Sequence, residues 1–243
     1  MRYPRVDLHV HTTYSDGRSP IEDVVRAAEA NELEGLAITD HVYDPSQRVE
    51  WLERASEELA EAEPGIRVVL GVEITRVGLS GLSIGDWLRR RAGIIVCEHP
   101  IPPRVEGLRE YLELVLRGIE LVVSTPGVDV LAHPLNLGRA GVVEDFRDLG
   151  REFLSEVARL VASAGVAVEV MSQMYWWYPR MSVAAFTDAY VEFIRLCRHH
   201  GASFSIGSDA HSACGVGNTR WAVKVLERAG VTRDEVWLPE PLR

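Results

Sequence analysis

The stretch Val6-Asp7-Leu8-His9-Val10-His11 decides how this chain of 243 residues folds, because a short apolar run ends there in two histidines. Five further runs end in the same way, in a histidine or an acidic residue. They are residues 36–41, 68–73, 94–99, 128–133 and 204–211. Short β-branched runs of this kind are typical of strands in a parallel sheet that helices cover on both faces. The pattern predicts that many strand ends carry imidazoles and carboxylates.

Helix-like amphipathic stretches separate these runs, and residues 166–170 form one more apolar run. Seven strand candidates that alternate with helices predict an α/β fold. The polar ends come from the first strand to the last, so an open sheet would spread them too far apart, whereas a closed barrel gathers them around one mouth. We therefore predict a distorted seven-stranded (β/α)7 TIM-like barrel, formed as a single domain by residues 1–243.

Six of the eight histidines stand at these run ends, together with Glu73 and Asp209. One histidine at the end of a buried strand is more often a hydrogen-bonded core residue than a metal ligand. Repetition favours a metal site, because buried polar groups without partners are penalised. Polynuclear sites also need several imidazole and carboxylate ligands that are held rigidly while the metals keep open positions. The sequence thus predicts a metallohydrolase.

The composition limits the partners that this chain can have. A net charge of −10 argues against a long, nonspecific grip on nucleic acid, which needs many cationic contacts to phosphates. Three cysteines without paired spacing indicate neither a disulfide framework nor a thiolate zinc cage, and they favour a cytoplasmic location. No apolar run approaches the length of a membrane span, so we expect no membrane partner. The hydrophobic fraction of 47% supports a sizeable core.

Several motifs resemble those of the polymerase and histidinol phosphatase family, usually called the PHP family. They are DLHVHTTYSDG at residues 7–17, ITDH at 38–41, GVE at 71–73, AHP at 132–134 and GSDAH at 207–211. They follow one another along nearly the whole chain, and the first two together are the most specific. The resemblance implies a trinuclear centre with two to three divalent ions, zinc, manganese or iron, per chain.

This resemblance also assigns the ligands. The first metal would take His9, His11, Glu73 and Asp209, which are the expected catalytic residues. Glu73 would bridge to a second metal completed by His99 and His133, and a third metal would take Asp16, His41 and His211. His9 and His11 lie two residues apart, so both side chains of an extended strand point to the same face, as ligands of one metal require.

Some of these assignments have alternatives. Asp16 could simply build the turn of its Asp-Gly dipeptide, and Glu98 competes with the adjacent His99. Asp40 is expected to hydrogen-bond a ligand imidazole; Asp7 either does the same or is a plain strand residue.

The sixth predicted strand departs from the family pattern. Many relatives carry Asn two residues after a Glu there, whereas this chain has Glu169 followed by Met171. Glu169 is still expected to support the site. The aromatic segment 174–180 follows, where barrel loops line the active site. Its Tyr175, Trp176 and Trp177 are expected to stack on a ring of the substrate, to pack against a neighbouring subunit of a homo-oligomer, or to pack in the core.

A cluster of divalent metals lowers the pKa of a bound water and neutralises phosphoryl oxygens as charge moves. We therefore predict hydrolysis of a phosphomonoester by metal-activated hydroxide, with a small phosphorylated metabolite as substrate, such as histidinol phosphate or a nucleotide. Arg104, Arg139 and Arg180 stand in loops after strand ends and are candidate phosphate contacts.

Two other functions remain open at this point. One is a phosphodiesterase or 3′–5′ exonuclease acting on nucleotides or single-stranded nucleic acid, because the chemistry of the PHP family also serves proofreading domains of DNA polymerases. The other is a noncatalytic metal-binding protein, which would be expected if ligands were missing, yet every expected ligand position is filled.

Overall fold

The computed structural model describes residues 3–103, 105 and 107–243, and for residue 139 it describes the backbone alone. The strands are β1 (Val6–Val10), β2 (Gly35–Ile38), β3 (His41–Val42), β4 (Arg67–Leu70), β5 (Val72–Ile74), β6 (Ile95–Cys97), β7 (Val130–Leu131), β8 (Ala167–Met171) and β9 (Phe204–Gly207). The helices are α1 (Ile21–Ala30), α2 (Trp51–Glu61), α3 (Asp86–Arg91), α4 (Leu108–Ser124), α5 (Arg151–Ala164), α6 (Val183–His199) and α7 (Arg220–Ala229).

Every ladder between these strands is parallel. One sheet has the order β1-β2-β4, and the other has the order β3-β5-β6-β7-β8-β9. β1, β8 and β9 are buried at every position, as expected for strands that are covered on both faces. The predicted α/β fold with parallel strands is confirmed.

The strand count differs from the prediction, because two of the seven predicted strands are each divided in two. The chain from 35 to 42 pairs with β1 and β4 in its first half and with β5 in its second half. The chain from 67 to 74 is interrupted at Gly71, where the backbone of a neighbouring residue comes so close that a Cβ atom would lie 2.4 Å from the carbonyl oxygen of Ile94. The ladders therefore form two sheets, and the closed seven-stranded barrel is not confirmed.

β1 and β9 are nevertheless neighbours, although only one isolated parallel bridge, between Val10 and Ala210, pairs their ends in the described part of the chain. The Asp209 N–H donates to the carbonyl of His9 at 2.9 Å, and the His11 N–H donates to the carbonyl of Ala210 at 2.9 Å. These contacts bring together the ends of the first and the last strand that carry predicted ligands.

An aromatic cluster fills the space between α6, α7 and the short 3-10 turn Phe146–Leu149. Phe146 lies edge-on to Tyr178, Phe186 and Tyr190, with ring centroids 5.4 to 5.6 Å apart. Edge-to-face geometry of this kind is favourable for buried aromatic rings. None of the described helices is both long and apolar enough to cross a bilayer. The assignment of residues 1–243 to one domain stays a prediction.

Candidate metal centre

Most of the predicted ligands lie near or just beyond the carboxyl ends of strands. His9 lies in β1 and Glu73 in β5, His41 begins β3, and His133 and Asp209 each follow a strand by two residues. Among the described residues, four groups of His, Asp and Glu side chains have potential ligand atoms within 4.8 Å of one another. Eight of the nine predicted ligands belong to these groups, namely His9, His11, Asp16, His41, Glu73, His133, Asp209 and His211.

Three of these side chains, His9, His11 and Asp209, have the spacing of ligands around one metal ion, and Glu73 contacts both of the histidines. His9 Nε2 lies 3.1 Å from His11 Nε2, 3.3 Å from Glu73 Oε2 and 3.6 Å from Asp209 Oδ1. His11 Nε2 lies 3.4 Å from Glu73 Oε2 and 3.2 Å from Asp209 Oδ1. Ligands at about 2.0–2.1 Å from a tetrahedral zinc are separated from one another by about 3.3 Å. The donor atoms of His9, His11 and Asp209 therefore fit a single cation of this size, with Glu73 adjacent to the two histidines.

Glu73 reaches two groups of imidazoles with its two oxygens. Its Oε1 lies 3.0 Å from His133 Nε2. Its Oε2 contacts His9 and His11, and it lies 2.9 Å from His41 Nδ1. A carboxylate that faces different ligand sets with its two oxygens has the arrangement that a bridge between two cations requires.

Asp16 lies at the centre of a third group. Its Oδ1 lies 3.5 Å from His41 Nε2, and its Oδ2 lies 3.3 Å from His211 Nε2. His11 Nδ1, 3.9 Å from Asp16 Oδ1, is a buried nitrogen without a hydrogen-bond partner among the described residues. An orphaned buried nitrogen beside a carboxylate is costly unless another group compensates it, and a cation would do so.

Glu98 and His99 are placed differently from each other. Glu98 Oε1 lies 3.8 Å from His133 Nε2 and belongs to a group with Glu73 and His133. His99 belongs to none of the four groups, although it is only 3% exposed. Its Nδ1 lies 3.1 Å from the carbonyl of Pro100, and its Nε2 accepts a hydrogen bond from the Leu135 N–H at 3.2 Å.

Glu169, which is expected from the sequence to support the site, contacts two of the predicted ligands, His9 and His133. Its Oε1 lies 2.7 Å from His9 Nδ1, and its Oε2 accepts a hydrogen bond from the His133 N–H at 2.6 Å. A carboxylate on the outer nitrogen of a ligand histidine fixes the orientation of the ring and directs Nε2 toward the metal. Met171 is buried and leaves this contact intact.

The expectation that Asp40 hydrogen-bonds a ligand imidazole is wrong. Its carboxylate accepts hydrogen bonds from the N–H and hydroxyl of Thr12, at 2.8 and 2.7 Å, and from the hydroxyl of Ser15. It therefore organises the turn that carries Asp16. Asp7 accepts hydrogen bonds from the N–H groups of Ser208 and Gly217, each at 2.8 Å, and so ties β1 to the loop after β9.

The close contacts between carboxylates and imidazoles shift their pKa values. Burial alone would lower the pKa of His9, but the carboxylates of Glu169, Glu73 and Asp209 raise it well above its usual value. Burial also lowers the pKa of His133, but the Glu73 carboxylate outweighs this effect and raises that pKa to about 9. Burial opposes ionisation of Asp209, yet His9 and other imidazoles lower its pKa to about 2. Without a metal, these carboxylates favour the protonated forms of His9 and His133, and a bound cation would replace those protons.

Three residues of the centre have left-handed backbone angles that non-glycine residues rarely adopt. The φ angles are 23° at His133, 67° at Leu135 and 56° at Asp209. Such strain persists only where the surrounding structure enforces it, and it is concentrated at functional sites.

The Tyr178 hydroxyl donates to the carbonyl of Leu135 at 2.6 Å. Beside it, a Cβ atom on Gly138 would lie 2.2 Å from the carbonyl oxygen of Trp177, so the loops after β7 and β8 are in close contact.

The aromatic segment contributes one ring beside the predicted ligands. Trp177 stacks near the ring of His133, with centroids 6.2 Å apart. Tyr175 instead lies edge-on to Trp221, with centroids 5.6 Å apart, and Trp176 is 57% exposed. Arg180 forms an ion pair with Glu144. Of the other predicted phosphate contacts, Arg104 and the side chain of Arg139 lie outside the described residues.

Sequence reasoning missed Tyr43 and Arg76, which stand in the loops after β3 and β5. The Tyr43 ring lies 6.1 Å from that of His41, and the Arg76 guanidinium lies 4.7 Å above the Tyr43 ring. Arg76 is exposed, has a φ of 56°, and has no ion pair with any carboxylate among the described residues. The available signal was its position, three residues after Glu73 in a loop that follows a ligand-bearing strand.

Comparisons with known proteins agree with this picture. A family model described as the PHP domain matches residues 7–173. A protein of Acetivibrio thermocellus named "Probable phosphatase" is 27% identical over 231 residues, which cover 91% of this chain and 86% of that protein. The histidinol phosphate phosphatase of Lactococcus lactis, solved with zinc, L-histidinol and phosphate, has a TM-score of 0.71 at 18% identity over 95% of each chain. The putative histidinol phosphatase of Listeria monocytogenes has a TM-score of 0.61 at 14% identity over 87% of this chain and 97% of that one. At these identities, the two structures show the shared fold.

Proposed function

Because this chain belongs to the PHP domain family, we propose that it is a metal-dependent phosphoesterase that hydrolyses small phosphomonoesters. One observation carries the proposal, which is the position of Glu73 between His9 and His11 on one side and His133 on the other.

We assign the proposed metal ligands to three cation sites. His9, His11, Glu73 and Asp209 would hold the first cation, Glu73 and His133 would contribute to the second, and Asp16, His41 and His211 would hold the third. Separations of 3.1 to 3.6 Å around His9 Nε2 support the first site. Imidazole and carboxylate donors suit zinc, manganese or iron, two to three per chain. Barrel closure belongs to the same proposal, and it is supported by the hydrogen bonds from Asp209 to His9 and from His11 to Ala210.

Bound cations would supply a water of lowered pKa and would neutralise the oxygens of the phosphoryl group. The chain itself has to hold the ligands and the substrate. Glu169 holds His9 in the orientation that directs Nε2 inward. Arg76 lies over the Tyr43 ring, which itself lies 6.1 Å from the His41 ring, and it would take a phosphoryl oxygen because a guanidinium offers paired N–H donors. Arg180 would serve this purpose only by giving up its surface ion pair with Glu144, which costs little.

A small substrate fits the remaining features better than a polymer. Trp177 presents an aromatic ring near His133, and stacking rewards a single ring. A long nucleic acid strand needs a cationic track, which a chain of net charge −10 does not favour. Histidinol phosphate, nucleotides and sugar phosphates are therefore the first substrates to test.

A substrate panel tests the proposal. The purified protein, loaded with manganese, zinc or iron, is assayed on histidinol phosphate, nucleotides, sugar phosphates, a cyclic dinucleotide and short single-stranded DNA. We expect inorganic phosphate from at least one monoester, and loss of that activity after chelation and in Glu73→Gln. Cleavage confined to the dinucleotide or the DNA would instead identify a diesterase or exonuclease. No turnover by protein with a full metal content would contradict the proposal.

A further inference from the structure

Glu98 and His99 are adjacent residues after β6, and either could complete the second cation site beside His133. We propose that Glu98 is the metal ligand and that His99 is a positioning residue, which holds the turn that carries His133. This inference rests on the proposed metal centre, but it differs from the ligand set that the family motifs imply, where His99 has the ligand role.

Both ring nitrogens of His99 already have backbone partners. Nδ1 lies 3.1 Å from the Pro100 carbonyl, and Nε2 accepts the Leu135 N–H at 3.2 Å. One neutral tautomer, with the proton on Nδ1, satisfies both contacts. Coordination through Nε2 would take the acceptor away from the N–H of Leu135, which is fully buried, and buried backbone donors are rarely left unpaired.

The turn that His99 contacts needs such support. His133 and Leu135 have φ angles of 23° and 67°, which are unfavourable for residues with a Cβ atom. The His99 ring holds the N–H of Leu135, and the Tyr178 hydroxyl holds its carbonyl at 2.6 Å. His99 therefore ties the end of β6 to the strained turn after β7, and the position of His133 depends on this turn.

Glu98 is oriented as a ligand of the second cation would be. Thr75 donates its hydroxyl hydrogen to Glu98 Oε2, which fixes the carboxylate and leaves Oε1 toward the centre. Oε1 lies 3.8 Å from His133 Nε2, and the same nitrogen lies 3.0 Å from Glu73 Oε1. The second site thus combines two carboxylates with one imidazole. Oxygen-rich sites of this kind suit manganese better than a site with more imidazoles does.

Two matched variants separate the roles of the neighbours. After dialysis against low manganese, Glu98→Gln should retain about one cation fewer per chain than the unsubstituted protein. His99→Gln should retain the full number, because the glutamine oxygen can still accept the Leu135 N–H. Loss of a cation from His99→Gln in a protein that still melts cooperatively, or full retention by Glu98→Gln, overturns the assignment.

A second measurement needs no variant. In the cadmium-loaded protein with labelled histidines, scalar coupling from the metal reaches only the ring nitrogens that are bonded to it. We expect such coupling at His133 and none at His99, and coupling at His99 would overturn the proposal. If the unsubstituted protein binds no divalent metal at all, the proposed function fails first. If the protein binds its full number of cations and one of them is coupled to His99, only the present inference is refuted.

Discussion

Glu73 contacts candidate ligands with both of its oxygens, because Oε1 faces His133 and Oε2 faces His9, His11 and His41. Replacing it should therefore affect two cations at once. We expect Glu73→Gln to lose more bound metal than Asp16→Asn, which changes a half-exposed carboxylate of one group. Elemental analysis of both variants after the same dialysis measures this difference, and equal retention would show that Glu73 bridges nothing.

The position of Arg76 over the Tyr43 ring leads to a second prediction. Arg76→Gln should raise the KM for the substrate found in the panel about tenfold, because a charge-assisted hydrogen bond to a phosphoryl oxygen is lost. Metal content should not change. Arg48→Gln is the matched control, since Arg48 also lies over an aromatic ring, Trp87, and is already paired with Glu53. The same KM in all three proteins would exclude Arg76 from the binding site.

Single residues also mark how far the sequence could predict the centre. The alternation His9-Val10-His11 placed both imidazoles on one face, and their nitrogens lie 3.1 Å apart. Glu98 and His99 could not be separated in the same way, because the strand ends at Cys97 and alternation no longer decides which side chain faces the centre. The role of Asp40 was missed because the partners of a buried carboxylate depend on a turn that sequence patterns do not fix.

The aromatic segment forms the 3-10 turn Met174–Trp177 after β8. Trp177→Ala should raise the KM about two- to tenfold without loss of metal, since a stacking ring near His133 is removed. Trp176→Ala, a change at the exposed neighbour, should leave the KM unchanged. If Trp177→Ala keeps its KM and Trp176→Ala sediments as a smaller species, the segment is a contact between subunits instead.

The turn Phe146–Leu149 anchors the aromatic cluster, which gives a prediction about stability. Phe146→Ala should lower the free energy of unfolding by about 3–5 kcal/mol, because a fully buried ring is replaced by a cavity. Urea denaturation followed by circular dichroism measures the loss. Leu79→Ala, at an exposed leucine, should change the same quantity by no more than about 0.5 kcal/mol. Similar values for the two variants would mean that the cluster adds little.

The elements could be predicted better than their pairing. Apolar runs and helical periodicity indicated the order of strands and helices, because both depend on local sequence. The division of two strands at 39–40 and at Gly71 depends on which neighbour comes close, and the approach of Ile94 to Gly71 is a long-range contact. Local sequence patterns do not encode such long-range contacts, so they could not predict how the strands pair into sheets.

For the whole molecule, the charges of the centre predict how the stability of the metal-free protein depends on pH. The folded pKa of Asp209, about 2, lies below its unfolded value, so its contribution is present above about pH 4 and lost toward pH 2. The folded pKa of His133, about 9, lies above its unfolded value, so its contribution is present below about pH 6.5 and lost toward pH 9. Burial raises the pKa of Asp7 to about 6, which adds a loss above about pH 4.

The metal-free protein should therefore be most stable near pH 4 and should lose stability as the pH rises from there. Saturating manganese or zinc should remove the loss at higher pH, because the cation replaces the protons of the imidazoles. Urea midpoints from pH 3 to pH 9, with chelator and with metal, test both expectations. If the urea midpoint of the metal-free protein instead rises steadily with pH, the imidazoles of the centre are not stabilised in their protonated forms.

The contact between Gly138 and the carbonyl of Trp177 has a consequence for attempts to change the substrate of this protein. Any side chain at residue 138 would push apart the loop that positions His133 and the loop that presents Trp177. In directed evolution, the two loops would therefore have to be diversified together, with Gly138 kept. Grafting one loop from a relative without the other should yield misassembled libraries rather than new specificities.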